Sequence, residues 1–233
     1  RHLCQQLAAR GDTVIALSKS GAGLPDGTPS LALDLAAQDV PEDCLSSVDV
    51  VFHLAGIAHH NAAPQLYEQL NYRATIRLAR QAASAGVGCF IFLSSVKAMG
   101  PSRVDMPRSE AQCTTPLDAY GASKWRAECA LREQFADDNM SVVILRPALV
   151  YGHEPKGNLQ LLARGVRCGL PRPPAVGRRS MIALPDLVEL LSTLAHAASP
   201  GVNTWIACGA HSYSTRELYD CLRRVAGKGA GSA

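Results

Sequence analysis

The chain has 233 residues, a formal net charge of +3, and 47% hydrophobic against 18% charged residues. A balance this mild, with no run of like charge, excludes a nucleic-acid patch or a basic membrane anchor, and no apolar stretch reaches the roughly eighteen residues a spanning helix needs. The eight cysteines include no C-x-x-C pair, which reads as reduced thiols in a cytoplasmic protein without a metal site.

In chain order, residues 1 to 10 predict a helix with Leu3, Leu7 and Ala8 on one face and Gly11 beyond its end. No N-cap residue and no strand precede it. It is expected to be the crossover helix of a nucleotide-binding fold, whose first strand and glycine-rich turn belong to a longer native chain. A short strand at 13 to 17 follows, then a Ser-Lys-Ser-Gly turn, a strand at 31 to 33, a helix, and a strand at 48 to 53. A long helix (64 to 86), a strand (89 to 93), a second long helix (118 to 136) and a strand (141 to 145) complete the pattern. Strands that are nearly unbroken apolar runs, alternating with helices, predict a doubly wound α/β domain with a Rossmann-like parallel sheet, assigned to residues 1–150.

From 151 onward Gly, Pro and Arg accumulate, with helices predicted at 158 to 168 and from Pro185 to His196, and a strand from Asn203 to Cys208. A last helix at 215 to 226 is entered through the capping box Ser214-x-x-Glu217. Residues 151–233 are read as a smaller substrate-binding lobe on the carboxyl side of the sheet, where ligands of such folds sit.

Chemistry concentrates at Tyr120-Gly121-Ala122-Ser123-Lys124. Four residues apart on a helix, a phenol and an ammonium share one face, and a nearby cation favours phenolate. That suits tyrosine to general acid–base work. Alone the pattern is weak and equally describes a surface Tyr beside a solvated Lys. Its context is stronger: the strand Cys89–Leu93 ends in Ser94-Ser95, and the strand Val50–His53 runs into Leu54-Ala55-Gly56, small residues that let a flat cofactor approach the backbone.

Together with Asn71, the run S-S-x-x-x-x-G at 94 to 100, R-P-A-L-V-Y-G at 146 to 152, K-G-N at 156 to 158 and R-R-S-M-I at 178 to 182, these motifs resemble the extended short-chain dehydrogenase/reductases, the NAD-dependent epimerase/dehydratase family. The wording is most similar to the bacterial O-antigen-cluster branch, UDP-glucose or UDP-N-acetylhexosamine 4-epimerases and 4-ketoreductases. The resemblance implies Tyr120 as catalytic acid or base, Lys124 holding the nicotinamide ribose and lowering the Tyr120 pKa, and Ser95 bonding the same sugar oxygen. It places cofactor contacts at Leu54, Ala55, Gly56, Asn71 and Pro147, with Asp34 and Leu35 at the adenine. Substrate contacts fall on Ser94, Ser95, Asn158 for the nucleotide and Arg179 for its diphosphate. Lys97 reads equally as a sugar contact or an exposed lysine, Asp34 also as a helix cap, Asn71 also as a polar helix residue, and Arg178-Arg179 also as a solvated pair. The adjacent His59 and His60 lack a third metal ligand.

One departure bears on the cofactor. Where the family carries an acidic residue after the second strand, Leu17 is followed by Ser18-Lys19-Ser20, so nothing repels a 2′-phosphate and Lys19 offers it a cation. NAD or NADP is therefore expected, with NADP favoured. The resemblance further implies a nucleotide-sugar substrate, a homodimer formed through the helices at 64 to 86 and 118 to 136, and a chain extending beyond Lys228. Epimerisation at C4 of a UDP-hexose leads. An NADPH-dependent 4-ketoreductase, a non-catalytic dinucleotide-binding regulator, and an enzyme of flavonoid or sterol ketones are the alternatives.

Overall fold

The computed structural model describes residues 1–24, 27–58, 62–102, 106–152, 157–197 and 199–229, with the side chain of Asn158 outside the description. Four parallel strands form the main sheet: β3 (Val50–His53), β4 (Cys89–Leu93), β5 (Ser141–Pro147) and β8 (Gly201–Ala207), in the order β3-β4-β5-β8. β1 (Ala16–Ser18) and β2 (Ser30–Ala32) make a separate parallel pair. A third, three-stranded sheet joins β6 (Leu149–Tyr151), β7 (Arg179–Ala183) and β9 (Ser212–Tyr213).

The apolar strand sequences explain the layering. Phe90 and Phe92 of β4 turn to one face and meet Leu78, Leu131 and Ile144; Ile91 turns to the other and meets Leu3, Leu7, Val143 and Leu191. The first face is covered by α3 (Ala74–Ser84) and α4 (Ala119–Phe135), the second by α1 (His2–Ala9) and α6 (Leu184–Ala197). α4 starts where Asp118 accepts the Gly121 N–H at 2.8 Å, and α7 (Thr215–Val225) carries the predicted capping box of Ser214 and Glu217. α5 (Asn158–Arg167) packs near α7, where the Tyr219 hydroxyl donates to the Leu170 carbonyl at 2.6 Å. No helix among the described residues is long and apolar enough to cross a membrane.

Three expectations change. The helix expected between Leu33 and Val48 is a turn followed by a single 3₁₀ turn, Glu42–Cys44, because Arg77 reaches over from α3 and binds the Leu35 and Gln38 carbonyls that a helix would use itself. The boundary at residue 150 does not coincide with the sheets, since β8 returns as the fourth main-sheet strand and α6 packs against that sheet. The segment leading into α3 is also not one regular helix. α2 (Pro64–Leu66) passes into a π-helical stretch, Tyr67–Arg73, before α3 begins.

Candidate active site

The carboxyl ends of β3, β4 and β5 open on one edge, and the first turns of α4 lie against them. Three successive residues of β4 and its exit meet three residues of α4 spaced by one helical turn. Lys124 Nζ donates to the Leu93 carbonyl at 2.8 Å, the Ser94 hydroxyl donates to Glu128 at 2.5 Å, and Ser95 hydrogen-bonds the Tyr120 phenol. Gly121 allows the approach, because a Cβ there would lie 2.7 Å from the Lys97 carbonyl. The predicted catalytic set Ser95, Tyr120 and Lys124 is thus brought together.

The electrostatics differ from the sequence expectation. Burial pushes the Tyr120 phenol above its usual value, the Ser95 hydrogen bond pulls it down, and Asp118 and Tyr67 add to the rise. Lys124 does not lower it here: its ammonium is drawn toward the Leu93 carbonyl and stands 4.5 Å from the Phe92 ring centre. Burial brings Lys124 itself down to about 8, while the Glu128 carboxylate opposes the fall. Tyr67, which the sequence reading passed over, is buried in the π-helical stretch with its ring 6.3 Å from that of Tyr120. Its only sequence signal was an aromatic residue one turn before Asn71.

Asn71, expected as a cofactor contact, is engaged within the protein. Fully buried, it accepts the Ile57 N–H at 2.8 Å and donates to the Ile57 carbonyl at 3.0 Å and the Ser123 hydroxyl at 3.1 Å. It therefore clamps the loop after β3 onto α4, and the π-helical turn supplies the extra rotation that aims it there. Thr75 donates to the Asn71 carbonyl at 2.8 Å and meets His53 Nε2 at 2.9 Å. Burial and the Lys124 charge hold His53 neutral, down to about 3. Gly56 completes the seam, since a Cβ there would come within 3.0 Å of Asn71 Oδ1 and 3.3 Å of Lys124 Nζ.

Ser94 likewise faces inward. Glu128 is fully buried and receives, besides Ser94, the Arg146 guanidinium at 2.5 to 3.2 Å and Arg132 at 3.1 Å. Arg146 also donates to the Glu110 carbonyl at 2.8 Å. Ser94, expected as a substrate contact, thus spends its hydroxyl proton on Glu128, and the sequence reading missed Glu128 and Arg146 as neighbours of the site.

The remaining residues spread along the crevice. Leu54, Ala55 and Gly56 are exposed at the end of β3, and Pro147 is buried at the end of β5. The Ser18 hydroxyl accepts from Ser30 at 2.8 Å, and Lys19 pairs with Asp34 at 2.7 Å. Leu35 packs against the core beneath them. Lys97 is exposed, 3.5 Å from Asp118, and Arg179 is exposed at the start of β7. Asn158 begins α5, but its side chain lies outside the described residues, as do His59 and His60. Among the described residues no group of three or more potential ligands could hold a metal ion.

A dinucleotide fits this donor set. Lys124 has one N–H on the Leu93 carbonyl and two further hydrogens for hydroxyl oxygens, beside the exposed backbone of residues 54 to 56.

A family model described as the NAD dependent epimerase/dehydratase family matches residues 1–202. A UDP-glucose 4-epimerase of Vibrio cholerae is 32% identical over 227 residues, covering 93% of this chain and 69% of that protein. An N-acetyl-alpha-D-glucosaminyl-diphospho-ditrans,octacis-undecaprenol 4-epimerase of Escherichia coli O157:H7 is 28% identical over 163 residues, 68% of this chain and about half (49%) of its own length. Among solved structures, MoeE5 in complex with UDP-glucose and NAD superposes with a TM-score of 0.82 at 26% identity, over 100% of this chain and 80% of that one.

Proposed function

The chain belongs to the NAD dependent epimerase/dehydratase family, and from that premise we propose that it is a cytoplasmic, NAD-using nucleotide-sugar epimerase acting at C4 of a UDP-hexose. The observation that carries this reading is the meeting of Ser95, Tyr120 and Lys124 at the carboxyl edge of the parallel sheet.

In this reading Lys124 and the backbone of Leu54, Ala55 and Gly56 hold the dinucleotide, with Pro147, Ser18, Lys19, Asp34 and Leu35 along its length. Bound NAD supplies a reversible acceptor of hydride. Tyr120 takes the proton of the sugar hydroxyl and returns it after the sugar has turned, while Ser95 holds the oxygen between them. Lys124, one helical turn beyond Tyr120, takes the ribose hydroxyls with the hydrogens that the Leu93 carbonyl leaves free. Arg179 and Asn158, at the start of β7 and of α5, meet the diphosphate and the nucleotide, and Lys97 lies near the sugar. Two copies pair through the faces of Pro64–Arg73 and α4, which border a groove of about 590 Å³ lined by Tyr67, Ala119, Ala122 and Arg126.

A second reading, a 4-ketoreductase in which Tyr120 donates its proton to a keto sugar, draws on the absence of an acidic residue after Leu17, so that no carboxylate there repels the 2′-phosphate of NADPH. Incubation with UDP-glucose, UDP-N-acetylglucosamine and a UDP-4-keto-6-deoxy sugar separates the two. Interconversion of hexoses without net use of reduced cofactor is expected, and steady consumption with the keto sugar alone would favour the reductase. Tyr120→Phe is expected to lower either activity by about 10²- to 10⁴-fold with cofactor affinity nearly unchanged. Wild-type turnover in that variant refutes the assignment.

A further inference from the structure

We propose that Glu128 is the positioning residue of this site, its buried carboxylate fixing the height of α4 against the end of β4 so that Ser95, Tyr120 and Lys124 meet in register. The inference rests on the reading of those three residues as the catalytic set.

The geometry carries it. Tyr120, Lys124 and Glu128 occupy the same face of α4 at intervals of four, and each is joined to one of three consecutive residues, Leu93 to Ser95. Of these three links only the one from Glu128 lies wholly outside the crevice: Glu128 is 0% exposed and Ser94 3%. Below it Arg146 grips the same carboxylate from β5, and Arg132 links it to the Thr204 hydroxyl of β8. One carboxylate therefore ties α4 to the end of β4 and to β5, while Arg132 of α4 itself makes the contact with β8. A slide of α4 by one residue would break four hydrogen bonds to Glu128 at once, before Tyr120 had moved about 1.5 Å.

A buried ion pair adds little net stability over apolar residues of the same volume, whereas its geometry is exacting. What this pair supplies is register, together with charge. The groups facing Lys124 are Glu128 on its own helix and His53 from β3; those facing Glu128 are Arg132, Arg146 and, alongside, Cys129. Glu128 is the anion that keeps the buried ammonium protonated.

The test reads Lys124 directly, by an NMR titration of lysine Nζ in the protein without ligands, beside kcat and KM with a UDP-hexose. Glu128→Gln is expected to move the Lys124 midpoint below its starting value of about 8 and to lower kcat by about 10- to 100-fold with KM within about twofold. Glu128→Gln combined with Arg146→Met removes the stranded guanidinium and is expected to bring the midpoint part of the way back. Ser94→Ala leaves the ion pair in place, so it tests the strut even if the charge variants fold poorly. It is expected to lower kcat several-fold at unchanged KM. A folded Glu128→Gln with the wild-type midpoint and kcat, or a Ser94→Ala with wild-type kcat, overturns the proposal. If the wild type turns over no UDP-hexose, the reading of the activity fails, while the lysine titration still decides the role of Glu128.

Discussion

Arg146 with Glu128 and Arg172 with Asp220 are both two-pronged guanidinium–carboxylate pairs, yet they lie in unlike surroundings. The first sits between β5 and α4 with side-chain exposures of 1% and 0%; the second joins a loop to α7 with 28% and 29%. The same chemistry serves different ends. Buried beneath α4, the pair must satisfy every donor and acceptor around it, and among the described residues no buried side-chain nitrogen or oxygen lacks a partner. At the rim, water is an alternative partner and the pair is a crosslink that the fold does without.

The comparison is broken most sharply by removing one arginine from each pair. Arg146→Ala leaves Glu128 buried with only Arg132 and Ser94 to compensate it, and is expected to destabilise the protein by about 3 to 5 kcal/mol. Arg172→Ala is expected to shift the unfolding transition by a small fraction of that. Urea unfolding of both variants decides it, and equal losses would mean that burial is not what separates the two pairs.

Lys124 sharpens the same contrast through pH. Its folded-state value of about 8 lies below the ordinary 10.5, so between these values the unfolded chain holds more protons than the folded one. Stability contributed by this residue should therefore rise with pH from 8 to 10.5. Lys124→Met lacks this titration. The stability of the wild type relative to the variant is expected to grow across that window by at most about 3 kcal/mol. Parallel stability–pH curves would show that the ammonium is not desolvated.

Much of this was legible in the sequence because it follows from period and position. Cys89–Leu93 is a continuous apolar run, and it is a buried parallel strand with those bounds. Tyr120 and Lys124 share a helix face because the spacing is four, and Ser94-Ser95 stand at a strand's end because the apolar run stops there. What could not be read is which way a polar side chain turns. Ser94 and Ser95 follow one another just beyond the strand and meet different residues of α4, one Glu128 and the other Tyr120. The clamp that Asn71 makes on the loop after β3 could not be read either, because no local pattern marks a π-helical turn, which comes from tertiary packing. Arg146 and Glu128 are eighteen residues apart, and nothing in either segment states that they meet.

The smallest expected effect tests the turn after β1, where the proposed function puts the adenosine. Lys19, read from sequence as an attraction for a 2′-phosphate, is already paired with Asp34 at 2.7 Å. The Lys19 hydrogen bond, then the Ala36 N–H, hold the Asp34 carboxyl below its usual range, so the carboxylate is ionised at neutral pH and offsets the lysine charge. A phosphate approaching this turn meets a cation and an anion together, and the net attraction is screened by water and salt. Asp34→Asn keeps the Lys19 charge and removes the anion. It is expected to raise the affinity for NADPH relative to NADH by about threefold at low ionic strength, and less as salt is added. Fluorescence titration of both reduced cofactors at two salt concentrations measures the ratio. An unchanged ratio would mean that Lys19 and Asp34 do not face the ribose, and that the cofactor preference is set elsewhere on the chain.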